Sequence, residues 1–150
     1  MGYGKMKRSY PFKAAVLDTM LLIYLFEDAP AYAALCERIF EAVRRGDFQG
    51  IITPITLAEI IVKPLRANRP DIADRYRAVL SSFPNLSTCS ITPETAIMAG
   101  ALRGKYEHPL PDLFQIACAM EHNAALLTND RALRKITETP LFLLDSELFK

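Results

Sequence analysis

Five short apolar runs, at residues 14–17, 48–52, 86–91, 124–127 and 141–144, are separated by longer segments with helical periodicity. This alternation constrains the fold more than any other feature. Parallel strands need a crossover of about a dozen or more residues, usually a helix. Runs that are apolar throughout, rather than at every second position, are those buried on both faces of a sheet. The expected fold is therefore α/β, with a mostly parallel sheet of about five strands and helices on both faces, an α/β/α sandwich. Helices are expected over 19–26, 31–45, 56–62, 71–83, 93–105 and 111–122, with a short one over 131–136. Within 31–45, Leu35, Ile39 and Val43 recur at four-residue spacing and Gly46 supplies a stop. Prolines such as Pro30, Pro54, Pro64, Pro70, Pro84, Pro93, Pro111 and Pro140 read as boundaries between these segments.

At 150 residues the chain is sized for one domain. That domain is expected over 13–150, behind a basic tail over 1–12. A chain of this length buries about 68–70% of its unfolded surface, so folding needs no disulfide or structural metal. A net charge of +1 excludes nucleic-acid binding by bulk charge, and the absence of Trp argues against a base-stacking platform. Cys36, Cys89 and Cys118 are odd in number and lie in apolar contexts. With His108 and His122 they make no zinc pattern, which points to reduced thiols and a cytoplasmic protein. Basic residues before an apolar stretch over 14–26 imitate a signal peptide. Asp18 interrupts that run, however, and it is shorter than the roughly 20 residues that span a bilayer, so no membrane partner is expected.

Four acids stand at one predicted edge. Asp18 directly follows the first strand, and Asp130 closes Leu127-Thr128-Asn129-Asp130 after the fourth. Glu59 lies one turn into the helix after the second strand, and Asp112 opens a helix behind Pro111. In open parallel sheets, ligands bind beyond the carboxyl ends of the strands, where strand order switches. Carboxylates crowded there raise one another's pKa unless a cation intervenes. Mg²⁺ and Mn²⁺ accept oxygen ligands, activate water and stabilise charge on a phosphate in transfer. Each acid also has a simpler explanation. Asp18 and Asp130 suit helix N-caps, Asp112 suits a first turn, and Thr56 with Glu59 spells a capping box.

Taken together, these segments resemble the PIN-domain family, and most closely its small VapC-type toxins. Val16-Leu17-Asp18-Thr19-x-Leu21-Leu22-Ile23-Tyr24 resembles the first acidic motif, and Thr56-x-x-Glu59 the second. Pro111-Asp112-x-x-x-Ile116-Ala117-x-Ala119 resembles the third and Leu127-Thr128-Asn129-Asp130 the fourth. The resemblance spans about 15–144. It implies a Mg²⁺- or Mn²⁺-dependent endoribonuclease that hydrolyses RNA phosphodiester bonds with metal-activated water. It also implies frequent homodimers and a small antitoxin partner. Asp18, Asp112 and Asp130 are then the expected metal ligands, with Glu59 binding the metal through water or positioning the attacking water.

One position departs from the pattern. Where the family often carries Ser or Asn, two residues past the first acid, this chain has Met20, whose thioether donates no hydrogen bond to water or phosphate. A catalytically weak PIN-like module that binds RNA or protein is the alternative. Met20 also removes the second acid of a D-x-D phosphotransfer site, and no G-x-G-x-x-G follows the first strand.

Thr19, Thr128, Asn129 and Gln115 flank the acids and are expected to hold them in place, although Thr128-Asn129 also reads as turn chemistry. Arg103 and Lys105 bracket Gly104 in what reads as a flexible loop, and Arg131 follows Asp130. All three are candidate RNA phosphate contacts, or simply cations suited to helix ends. His108 and His122 are expected to be structural or solvated. Tyr24, Leu25 and Phe26 are expected in the core or at a dimer contact.

Overall fold

The computed structural model describes residues 8–150. Its strands are β1 (Ala14–Leu17), β2 (Gln49–Ile52), β3 (Leu86–Thr88), β4 (Ala125–Thr128) and β5 (Leu141–Leu143). Its helices are α1 (Thr19–Phe26), α2 (Ala33–Arg45), α3 (Pro54–Arg66), α4 (Pro70–Ser82), α5 (Pro93–Lys105) and α6 (Leu110–Glu121). Short 3₁₀ turns cover Arg131–Lys135 and Glu147–Phe149. The strands form one sheet in the order β3-β2-β1-β4-β5. Every pairing is parallel, and Val16 of β1 stands between Ile51 and Leu126.

Side chains on a strand alternate between faces, so each strand feeds two cores. Ala15, Leu17, Ile52, Ala125 and Leu127 pack on one face with Leu21, Leu22, Ile39, Val43, Ile60 and Leu80, which come from α1 to α4. Val16, Ile51 and Leu126 pack on the other with Leu102, Leu113 and Ile116 from α5 and α6. Burying both faces makes the strands apolar throughout, and the three expected layers follow.

Several local expectations change. The helix expected from Thr56 begins at Pro54, and Thr53 is its cap, with Oγ1 accepting from the Thr56 amide at 3.3 Å. Thr56 and Glu59 are therefore interior residues and not a capping box. Proline suits the first helical position, because its φ is set and its missing N–H would have been unpaired there anyway. At the other end α3 runs past Pro64 to Arg66. Pro64 forgoes only the bond to the carbonyl four residues back, close to the helix end, so it is not a boundary. The third strand is shorter than expected and lies at the sheet edge.

Residues 1–7 of the expected tail lie outside the described residues. Beyond them, Tyr10 and Phe12 pack on Phe48 with ring centroids 5.1 and 5.0 Å away, and Phe12 also meets Phe142. Tyr24 stacks on Tyr32, and Phe26 on Tyr76.

Gly50 marks a close approach between β2, β3 and α2. A Cβ there would lie 3.0 Å from both Leu86 Cδ1 and Val43 Cγ1. Gly50→Val is expected to destabilise the fold by about 1–3 kcal/mol through overpacking. Denaturant unfolding checks this, and an unchanged midpoint would mean that α2 shifts freely.

Candidate active site

The chain enters the sheet at β1, builds outward through β2 to β3, and returns on the other side of β1 as β4. Strand order therefore switches between β1 and β4. The Asp18 amide donates to the Leu127 carbonyl at 3.0 Å and joins the two strand ends beside that crevice.

Asp18 is only 4% exposed. It caps α1, its Oδ1 accepting from the Met20 amide at 3.4 Å. The same oxygen accepts from Gln115 Nε2 at 3.4 Å, and Oδ2 accepts from Thr128 Oγ1 at 2.5 Å. Burial pushes the Asp18 carboxyl above its ordinary pKa; the Thr128 bond opposes this and the charge of Asp112 adds to it. Asp18 is thus the cap of α1, buried more deeply than capping requires and within reach of a second acid's charge.

Glu59 reaches the same edge from α3. Its Oε1 accepts from Thr19 Oγ1 at 3.2 Å, and Thr19 Oγ1 lies 2.8 Å from Thr56 Oγ1. Its pKa is also raised, first by burial and then by Asp112 and Asp18. Asp112 sits in the first turn of α6 and Asp130 caps the 3₁₀ turn after β4, accepting from the Ala132 amide at 2.9 Å. Between these two acids lies His108, whose Nε2 is 2.8 Å from Asp112 Oδ2 and 3.5 Å from Asp130 Oδ2. Ligand atoms of His108, Asp112 and Asp130 all fall within 4.8 Å of one another. Asp112 is the common member: it bears on Asp18 and Glu59 through charge and on Asp130 through His108.

Of the residues expected around the acids, Thr19, Thr128 and Gln115 bond to them. The Thr128 hydroxyl has two partners, donating to Asp18 while accepting from the Asp130 amide at 3.0 Å. The Asn129 amide instead donates to Tyr24 Oη at 3.3 Å.

The expected flexible loop around Gly104 is the last turn of α5. Arg103 lies 3.7 Å from Glu107, Lys105 lies 3.6 Å from Glu138, and Arg131 pairs with Asp145. Exposed pairs of this kind contribute about 0–1 kcal/mol, so a phosphate can compete for any of these cations.

His108, expected to be structural or solvated, takes a more specific place than the sequence indicated. It is 8% exposed rather than solvated, and its partners are two of the acids. Its four-residue spacing from Asp112 was the available signal, but the interval crosses the start of α6, where helical spacing does not apply. His122 is exposed at the end of α6, with Nδ1 2.9 Å from the Cys118 carbonyl, within the structural or solvated reading.

The donor set fits a divalent cation. Burial raises the pKa of Asp18 and Glu59, and the charge of Asp112, with Asp18 acting on Glu59, adds to it, a contribution that a positive ion would oppose. Gln115 is 2% exposed, and its Oε1 has no hydrogen-bond partner among the described residues, although its amide nitrogen is engaged with Asp18. A buried acceptor left open beside an acidic cluster suits a hydrated cation.

The raised pKa of Glu59 predicts a pH-dependent stability effect. With a folded pKa above the unfolded value near 4.5, its ionisation costs nothing at low pH and destabilises as pH rises through the folded pKa. Glu59→Gln keeps the oxygen that accepts from Thr19. In metal-free protein it is expected to raise the melting temperature at pH 7 and to lose that gain as pH falls towards 4. Thermal melts in chelator check this, and a gain independent of pH would exclude charge as its source.

The PIN domain family model matches residues 15–138. No curated protein matches the chain in sequence. Among solved structures, VapBC2 from Rickettsia felis bound to a promoter DNA fragment aligns with a TM-score of 0.72 at 18% identity, over 87% of this chain and 98% of that one. A toxin–antitoxin complex from Klebsiella pneumoniae aligns with a TM-score of 0.68 at 26% identity, over 87% and 97%. VapC20 of Mycobacterium tuberculosis, described as a toxin that cleaves the sarcin-ricin loop, aligns with a TM-score of 0.58 at 14% identity, over 75% and 86%. With a parallel sheet that switches order between β1 and β4, four acids at that switch and a family match over most of its length, the chain belongs to the PIN-domain family and has the fold of the VapC-type toxins.

Proposed function

We propose that the protein is a Mg²⁺- or Mn²⁺-dependent endoribonuclease and the toxin of a toxin–antitoxin pair. The observation that supports this reading is the linkage of the four acids: Asp112 bears by charge on Asp18 and Glu59, and Asp112 and Asp130 share His108 within one set of donor atoms. Asp18, Asp112 and Asp130, with Glu59 acting through water, would hold a divalent cation, which would supply positive charge for a phosphate and lower the pKa of water. The protein's own groups do the rest. Thr128, Gln115 and the Met20 amide fix both oxygens of Asp18. Glu59 uses Oε1 for Thr19, which leaves Oε2 to take a proton from the attacking water, and its raised pKa makes it a better base. Arg103, Lys105 and Arg131 give up weak surface pairs to contact RNA phosphates.

The toxin–antitoxin likenesses support a small antitoxin partner, and the family resemblance supports a homodimer. The sarcin-ricin description of VapC20 supports RNA, single-stranded or in a structured loop, as the substrate. The buried free cysteines suit a reducing cytoplasm, and among the described residues no helix is long and apolar enough to cross a membrane.

Because the target RNA is a separate unknown, the first test is independent of substrate. Calorimetric titration with Mn²⁺ is expected to give binding in the wild type and none in Asp18→Asn/Asp130→Asn, with both folded by circular dichroism. Equal binding by the two proteins would overturn the site. Cleavage of structured RNAs by the wild type, abolished by chelator, is the second expected result; a metal-independent gel shift without cleavage would favour a binding module.

A further inference from the structure

We infer that His108 is a nitrogen ligand in this centre and biases it towards Mn²⁺ and later transition ions over Mg²⁺. The inference rests on the proposed metal site and specifies its chemistry. The imidazole comes from the short connection between α5 and α6, outside the acidic motifs, and it is buried. One ring nitrogen, Nε2, faces carboxylate oxygens of both Asp112 and Asp130, at 2.8 and 3.5 Å. An imidazole that served only to brace one carboxylate would need one acceptor. This nitrogen lies between two, and with one oxygen from each acid it forms a three-atom set whose members are all within 4.8 Å of one another.

A neutral imidazole can carry its proton on either nitrogen, so with the proton on Nδ1 the Nε2 lone pair is free to bind a metal. The open Gln115 Oε1 nearby is a second, independent sign that the crevice takes a hydrated ion.

The donor set decides which ion. An all-oxygen site suits Mg²⁺, which sheds its water reluctantly and takes oxygen ligands. Replacing one oxygen with an imidazole nitrogen favours the transition ions, whose affinity for such ligands rises from Mn²⁺ through Co²⁺ and Ni²⁺. His108 thereby sets the metal preference of a site whose charge comes from the acids.

Pulsed electron paramagnetic resonance on the Mn²⁺-loaded protein tests this without any substrate. Directly coordinated ¹⁴N is expected in the wild type and should be replaced by ¹⁵N couplings when histidine alone is isotopically labelled, a measurement that alters no residue. His122→Asn should keep the signal and His108→Gln should lose it. Calorimetry should show Mn²⁺ affinity falling by about 10–100-fold in His108→Gln, with Mg²⁺ affinity nearly unchanged. Bound Mn²⁺ without nitrogen coupling would overturn the inference and leave the acidic site standing. Equal loss of Mg²⁺ and Mn²⁺ affinity in His108→Gln would also overturn it, leaving His108 as a residue that positions Asp112. Failure of the wild type to bind either ion would overturn both the inference and the proposed function.

Discussion

Asp112→Asn is expected to lower RNA cleavage by about 10²–10³-fold, in the range typical for losing one preorganised electrostatic group, without weakening the metal-free fold at pH 7. Both results follow from the position of Asp112. It is the acid whose charge bears on Asp18 and Glu59, and it shares His108 with Asp130. Removing its charge removes attraction for a cation and also removes repulsion within the apoprotein. Asp18 and Glu59 have folded pKa values raised above their unfolded ones. The stability they allow is therefore greatest at low pH and is lost as pH rises through the folded values. With Asp112 neutral, that loss as pH rises above about 4 should shrink. Cleavage assays and melts in chelator over this pH range check the two halves separately. Wild-type cleavage would remove Asp112 from the active site, whereas a collapsed melting temperature would assign it to the fold.

Thr128→Val is expected to have the second largest effect. Thr128 is completely buried, and one hydroxyl serves Asp18 Oδ2 and the Asp130 amide together. Valine has nearly the same shape and no hydroxyl. The change therefore leaves a buried carboxylate without its shortest bond and an amide without its acceptor, at a cost of about 1–3 kcal/mol. Mn²⁺ affinity should fall by about 10–100-fold, the usual effect of losing a group that orients a ligand. Thr128→Ser keeps the hydroxyl and should restore affinity more fully than stability, since only a methyl is lost. If Thr128→Val binds Mn²⁺ like the wild type, the hydroxyl does not hold Asp18 in its binding position.

The acids also show how local and long-range electrostatics can oppose each other in a small domain. Capping would place one acid at a helix start at little cost. Here α1 and the 3₁₀ turn after β4 are capped by Asp18 and Asp130, and α6 carries Asp112 in its first turn, all facing one crevice. Each local arrangement is favourable, yet the charge of Asp112 bears unfavourably on Asp18. The caps at Asp18 and Asp130 are therefore observed and are compatible with the proposed metal site, and local sequence alone could not separate the two explanations.

What the sequence determined by itself was the set of strands, the parallel sheet they must form, and the edge at which the acids stand. Strands buried on both faces need apolar side chains at every position, and that pattern is local enough to read directly. Asp18, Glu59, Asp112 and Asp130 were legible because each sits at a fixed offset from a strand end or helix start. Tertiary structure decided the rest. The cap of α3 moved from Thr56 to Thr53 because the preset φ of Pro54 fits the first helical position. The basic segment around Gly104 stayed helical. His108 gained its role only when the chain before α6 folded against the end of β4 and placed one imidazole nitrogen between two carboxylates. A contact between residues that lie 22 positions apart on different elements depends on how layers pack, and no periodicity within either segment encodes it.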